Sequence, residues 1–239
     1  MQKYILKNIE RPDPELIEKY LNLDVSTVYE AQGKQGLMDY QLRPILSNKL
    51  IVGPAVTAVC YAGDNLMIHA AIEVCKPGDI LVITTIGENV AGMIGELIVK
   101  ALMKRGVQGV IIDSAIRDVT RLRELEFPVW SKAVHSAGTN KIKGGWVNAP
   151  TVCGGAIVNP GDLIMADDDG VVIVKKEDVE NSFEASIKRL EKEEQTKAKI
   201  NRGELSIDFY NLRPILENEN VVYYENEESI PASLNKTLR

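Results

Sequence analysis

Gly92, Gly95, Glu96, Arg117 and Asp118 are the residues of this chain whose types and spacing could do chemistry. Glycines let backbone approach a ligand closely, and a helix starting behind them offers free N–H groups and the positive end of its dipole to an anion. The amides of Gly95, Glu96 and Leu97 form a candidate cradle for a carboxylate. An aspartate at a strand end is a hard oxygen donor for Mg²⁺ or Mn²⁺. An arginine beside it is always protonated and suits a negative charge. Residue types alone thus give an anion site next to a candidate metal ligand. A plainer reading competes: Asp118 as the N-cap of a helix beginning at Val119, with Arg117 a solvated surface charge.

The elements that must position these residues are legible around them. Leu97, Ile98, Ala101, Leu102 and Arg105 follow helical spacing, and Gly106 is a C-terminal stop. Residues 107–113 are a short run rich in β-branched side chains, which suits a buried strand. Arg117 and Asp118 then fall at its carboxyl end, where α/β sheets bind ligands. Upstream, residues 12–23 read as a helix started by Asp13, with Leu16, Ile17, Tyr20 and Leu21 on one face. Residues 25–32 read as a second helix, capped by Asp24 or Ser26 and stopped by Gly33. Residues 50–60 read as a strand interrupted at Gly53-Pro54, and Asp64 or Asn65 caps a helix running to about Cys75. His69 falls among apolar neighbours there and reads as a hydrogen-bonded core residue rather than a ligand, while His135 has less support still.

Downstream, Pro77-Gly78-Asp79 and Pro160-Gly161-Asp162 are turns that each feed an apolar run. Residues 128–174 read as short strands and hairpins. Asp167-Asp168-Asp169-Gly170 is a hairpin turn and not a calcium loop, because the ligands that should come after Gly170 are missing. Residues 176–202 form a long charged helix with Phe183, Ile187, Leu190 and Ile200 on one stripe. An arm begins at Gly203, and the residues after about 225 are expected to fray.

Composition limits the function classes. The 239 residues can bury a sizeable core, and a net charge of −6 argues against sequence-independent nucleic-acid binding, which needs a basic face. Cys60, Cys75 and Cys153 are widely separated and odd in number, as in a reduced cytoplasmic protein. The first residues lack the apolar core of a signal peptide, and no run reaches membrane-spanning length.

The spacing Gly92-x3-Glu96-x20-Arg117-Asp118 resembles the signature of the class II pyruvate aldolases, the 4-hydroxy-4-methyl-2-oxoglutarate (4-carboxy-4-hydroxy-2-oxoadipate) aldolase family. Further similar stretches are Tyr29-Glu30-Ala31-Gln32-Gly33, Gly63-Asp64-Asn65-Leu66-Met67-Ile68-His69, Phe127-Pro128-Val129-Trp130-Ser131, both Pro-Gly-Asp turns, Ala166-Asp167-Asp168-Asp169-Gly170-Val171 and Gly203-Glu204-Leu205-Ser206-Ile207-Asp208. The resemblance therefore runs from about residue 25 to about residue 215.

The resemblance implies an α/β fold, a layered α/β/α sandwich with a swivelling-domain-like β core. Residues 1–202 would be the catalytic domain and residues 203–239 an arm packing on a neighbouring subunit, in homotrimers or homohexamers. It implies Asp118 as the ligand of Mg²⁺ or Mn²⁺, and Arg117 as the partner of the oxygen that gains charge in a pyruvate enolate. Gly95, Glu96 and Leu97 would take the substrate carboxylate through their amides. Glu96 would orient water together with Glu193 or Glu194, of which we take Glu194, from the neighbouring subunit. The activity implied is cleavage of a 4-hydroxy-2-oxo diacid to pyruvate and a second 2-oxo acid, with oxaloacetate decarboxylation on the side. Ser114 stands where relatives carry Gly or Ala, and Glu96 is the longer of the two acidic options at its position. A rival class in the same superfamily regulates ribonuclease E by binding. Its members can lack the aspartate of the Arg-Asp pair, which is present here. Some relatives are labelled methyltransferases, but no glycine-rich dinucleotide loop comes after a first strand.

Overall fold

A run of apolar and β-branched residues that is buried on both faces sets the architecture. Ile51–Tyr61 is an eleven-residue strand with only its last residue partly exposed, the pattern of a strand covered on two sides. The computed structural model describes residues 2–87, 90–231 and 234. Its strands are β1 (Tyr4–Ile5), β2 (Arg43–Pro44), β3 (Ile51–Tyr61), β4 (Ile80–Ile86), β5 (Gly92–Ile94), β6 (Gly109–Ile116), β7 (Val129–Val134), β8 (Trp146–Val147), β9 (Thr151–Cys153), β10 (Ala156–Val158), β11 (Leu163–Ala166) and β12 (Val171–Val174). Its α-helices are α1 (Pro14–Lys19), α2 (Val25–Ala31), α3 (Leu66–Val74), α4 (Glu96–Lys104), α5 (Val119–Glu124), α6 (Val179–Asn201), α7 (Ser206–Phe209) and α8 (Arg213–Asn218).

The main sheet runs β1-β8-β3-β4-β6-β7-β2, with β11 and β12 joined through β3, and β5 through β6. Strands β3, β4, β6 and β7 are parallel neighbours, so their carboxyl ends share one edge. This is the α/β class expected from the sequence. On one face, Met67, Ile68 and Ala71 of α3, Val99 and Leu102 of α4, and Leu122 of α5 close over Val56, Leu81, Val110 and Ile112. On the other, Ala55, Val82, Ile111 and Trp130 meet Val158, Ile164 and Ile173 of the hairpins β9–β10 and β11–β12. Each large side chain buried in this way contributes about 1.5–3 kcal/mol.

Local signals explain most boundaries. Asp13 caps α1 by accepting from Glu15 N–H, and Asp24 caps α2 by accepting from Thr27 N–H. Helix α4 closes with paired bonds from Gly106 N–H to Met103 O (3.0 Å) and Val107 N–H to Leu102 O (3.1 Å), a C-terminal motif that releases the chain into β6. The Asp167-Gly170 segment is the turn of the β11–β12 hairpin, closed by Asp167 N–H to Gly170 O at 3.0 Å.

Four expectations are corrected. Strand β3 is not interrupted at Gly53-Pro54, because both residues stay extended against Ile164 and Leu163 of β11. Strand β6 runs on past Asp113 to Ile116, carried by pairing with β5 and β7. Leu21 is half-exposed, because α1 ends at Lys19 and the chain tightens into a 3₁₀ turn that rotates it off the buried face. His69 is exposed: α3 buries Met67, Ile68, Ala71 and Val74, and His69 lies off that stripe.

By its contacts the chain divides into units Met1–Arg189 and Leu190–Arg239. The second holds the end of α6, then α7 and α8, neither of which buries a residue. Leu205, Tyr210 and Ile215 there are more than half exposed. The fraying expected after about residue 225 falls in part on residues 232, 233 and 235–239, which lie outside the described residues.

Candidate active site

The site is made where β6 runs out. Ile116 is fully buried, Arg117 N–H donates to Ile94 O at 2.9 Å, and the chain then turns through Asp118 at φ 58°, ψ 31°. That left-handed conformation costs most residues roughly 1–2 kcal/mol, and aspartate is one of the few that visit it. Asp118 precedes α5, yet its carboxylate makes no cap bond to that helix. Oδ2 instead accepts from Glu96 N–H at 3.1 Å, across to the start of α4. Asp118 thus holds the N-cap position of α5, accepting from Leu122 N–H through its carbonyl at 3.0 Å, while its carboxylate is turned to α4; strained backbone of this kind collects at working sites.

The two glycines are explained by close approach. A Cβ on Gly95 would overlap the Asp118 carboxylate and press on Arg117 Cγ. A Cβ on Gly92 would overlap the His135 carbonyl and Arg117 Cβ. The spacing seen in the sequence is thus a packing requirement: β5 and the first turn of α4 lie directly against the Arg-Asp pair.

Arg117 is held but not satisfied. Its Nε stands 3.9 Å from Asp118 Oδ2, within ion-pair range and beyond hydrogen-bond reach. Nε is itself buried and has no hydrogen-bond partner, whereas the side chain as a whole is 43% exposed. A buried donor without an acceptor is costly and rare. Glu96, the first residue of α4, is ion-paired with Lys100 one turn on. That hydrogen bond and charge hold its carboxyl below the usual range, so it is ionised at neutral pH. The Glu96 amide is already used by Asp118. Leu97 is 82% exposed, a correction to the apolar face on which its spacing placed it.

Sequence reasoning missed the segment covering Arg117. Gly92 N–H donates to Ala137 O (2.9 Å), His135 N–H to Ile116 O (2.9 Å), and Gly138 lies beside Arg117 Nη1. Ala137 N–H also donates to His135 Nδ1 at 3.3 Å. Buried Asn65 donates from Nδ2 to Met93 O at 3.1 Å and ties the helix start of α3 to β5. The residues of this segment carry only a turn signal, so nothing in the pattern marks them. Glu193 and Glu194 lie on α6 in the second unit, where Glu194 is ion-paired with Lys197 at 2.7 Å.

A divalent cation fits these residues in one way only. The bond from Glu96 engages Oδ2 of Asp118 and leaves Oδ1. Among the described residues no group of three His, Cys, Asp or Glu side chains forms a metal cage. A cation here would be held by one carboxylate, with water and substrate completing the shell, which is how Mg²⁺ binds in many phosphate and carboxylate sites. A cavity of about 670 Å³ in the same unit, lined by Gln32, Leu37, Ile157, Lys175 and Ser182 among others, shares no residue with this site.

Fold and site together define an α/β protein that presents a carboxylate and a guanidinium at the carboxyl edge of a parallel sheet. Residues 23–173 match the family described as "RraA-like: Aldolase/RraA", and the chain belongs to that family. Over 169 residues it is 32% identical to a protein of Halalkalibacterium halodurans named "Putative 4-hydroxy-4-methyl-2-oxoglutarate aldolase", covering 71% of this chain and 80% of that one. Its structure is similar to that of Streptomyces coelicolor RraAS2, described as an unusual member of the RNase ES inhibitor RraA family, at a TM-score of 0.70 and 25% identity, over 79% of this chain and 100% of the other. An uncharacterized protein of Pseudomonas syringae shares the fold at a TM-score of 0.72 and 19% identity, over 82% and 97%. Among the described residues no helix is long and apolar enough to cross a membrane.

Proposed function

We propose that this chain is a divalent-metal-dependent pyruvate aldolase, releasing pyruvate from a 4-hydroxy-2-oxo diacid and decarboxylating oxaloacetate as a side activity. The observation that carries the reading is the state of the Arg-Asp pair. Asp118 makes no side-chain cap bond and sits in a strained conformation, and Arg117 keeps a buried Nε without an acceptor. The names borne by relatives support the same class.

In the reaction the C4 hydroxyl loses its proton, the C3–C4 bond breaks, and its electron pair passes into a pyruvate enolate that is then protonated at C3. When bound at Asp118, Mg²⁺ or Mn²⁺ supplies Lewis-acid polarisation of the 2-oxo group. Arg117 stabilises the charge that develops on the same oxygen, an effect worth most in a partly desolvated site. The backbone at Gly95 and Leu97, at the positive end of α4, orients the substrate carboxylate, the Glu96 amide being taken by Asp118. Glu96 is kept ionised by Lys100 and orients the water that takes the hydroxyl proton. Glu194 of a neighbouring copy in a trimer or hexamer completes this arrangement. The three free cysteines are buried, in keeping with a cytoplasmic enzyme.

The test is a coupled assay of pyruvate release from oxaloacetate and from 4-hydroxy-4-methyl-2-oxoglutarate, with and without EDTA. Activity abolished by EDTA and by Asp118→Asn supports the reading, and activity indifferent to both rejects it. The likeness to the Streptomyces protein favours one alternative, a non-catalytic regulator of ribonuclease E-type partners. That alternative gains if neither substrate yields pyruvate while the chain inhibits such a nuclease.

A further inference from the structure

Strand β6 changes neighbours part-way along. Residues up to Ile112 pair with β4, those from Ala115 pair with β5, and pairing with β7 loses register over the same interval. Asp113 and Ser114 fill that irregular stretch, and such breaks re-aim the residues beyond them. Arg117 and Asp118 lie just downstream.

One carboxylate fastens the stretch on two sides. Lys132 Nζ on β7 donates to Asp113 Oδ1 at 2.9 Å, and Gly154 N–H, in the turn of the β9–β10 hairpin, donates to Oδ2 at 2.9 Å. The Gly154 carbonyl in turn accepts from Asp39 N–H at 2.8 Å. Gly154 is at φ 52°, and a Cβ there would press on Leu42 and Met38, so the turn that presents this amide needs glycine. Lys132 also lies three residues before His135, whose N–H and carbonyl meet Ile116 and Gly92. Asp113 therefore joins β6, β7 and the hairpin just before both strands enter the site.

Resting on the function proposed above, we infer that Asp113 and Lys132 are positioning residues that set the angle at which β6 presents Arg117 and Asp118. Neither touches substrate. Their side chains are 22% and 37% exposed, and an ion pair so placed adds little to global stability. Its effect is read at the site, where a misplacement of about 1 Å caused far from the chemistry lowers turnover by about 100-fold.

The experiment compares Lys132→Met, Asp113→Asn, Lys132→Arg and Asp118→Asn with the wild-type chain. It measures kcat and KM for pyruvate release from oxaloacetate, Mn²⁺ affinity by electron paramagnetic resonance titration, and thermal midpoint. Lys132→Met and Asp113→Asn are expected to lower kcat and weaken Mn²⁺ binding each by about 10-fold or more, with KM and the thermal midpoint little changed, and Lys132→Arg to restore both. Should Asp113→Asn fail to fold, Lys132→Met at its more exposed position decides alone. Wild-type kcat and Mn²⁺ affinity in Lys132→Met, beside an inactive Asp118→Asn, overturn the positioning role and leave the reaction standing. Wild-type turnover in Asp118→Asn overturns the reaction, and the inference with it.

Discussion

Two of the Arg-Asp pairs among the described residues use the same chemistry to opposite ends. At the amino end of β4, Arg11 Nε and Nη2 donate to the two oxygens of Asp79 at 2.7 and 2.8 Å, and Lys76 N–H adds a third bond at 2.7 Å. Asp79 is fully buried, and its hydrogen bond is the main reason Arg11 holds its proton even more firmly than usual. At the carboxyl end of the neighbouring parallel strand, Arg117 and Asp118 are 3.9 Å apart, half-exposed, and one nitrogen has no partner. The first pair is saturated and has nothing left to offer a ligand. The second is kept incomplete by a strained residue and two glycines. A buried pair with ideal bidentate geometry is architecture, and the incomplete pair at a strand end is the one we propose as a site.

Substitutions can break this contrast. The largest effect is expected at Asp118: Asp118→Asn should lower kcat for pyruvate release at least about 1000-fold, and Arg117→Met about 100–1000-fold. Both should melt close to the wild type, because the replacements keep the Cβ and Cγ atoms that lie against Gly92 and Gly95. Arg11→Met should do the reverse. It leaves the Asp79 charge buried without its partner and should cost about 3–5 kcal/mol in urea unfolding, with turnover per folded molecule unchanged. Gly95→Ala inserts a methyl against the Asp118 carboxylate. At φ −152° the backbone accepts alanine, so turnover should fall about 10–100-fold with stability nearly kept. The smallest effect is again one of architecture. Burial pushes the Tyr20 phenol up to about 12 from an ordinary 10.0, and its hydroxyl donates to Val179 O at 2.6 Å. The folded chain thus binds this proton more tightly than the unfolded one. The stabilisation is complete below pH 10 and is lost as pH rises toward about 12. Urea midpoints at pH 8 and 11 should differ more in the wild type than in Tyr20→Phe.

The sequence made the second pair legible because its signals are local. Helical spacing and Gly106 placed α4 within a residue of Glu96–Lys104, and a β-branched run located β6, so Arg117 and Asp118 fell at a strand end. The parts that stayed hidden depend on contacts distant in sequence. Nothing in Arg-Asp itself says that the aspartate carboxylate will turn from α5 to bond Glu96, or that residues 135–138 will fold over the arginine. His69 and Leu97 were misplaced because periodicity gives a helix its faces without saying which neighbour covers them. The saturated pair was missed for the same reason. Arg11 and Asp79 are 68 residues apart, and Pro-Gly-Asp announces only a turn.

The most direct test of the central claim, that the incomplete pair forms and holds a pyruvate enolate, is exchange of pyruvate methyl protons with deuterium oxide, monitored by NMR in the presence of Mg²⁺. The wild-type chain and Arg11→Met should catalyse the exchange, while Asp118→Asn and Arg117→Met should leave pyruvate at its uncatalysed rate. Exchange that proceeds equally in all four proteins would contradict the assignment of the reaction to this strand end.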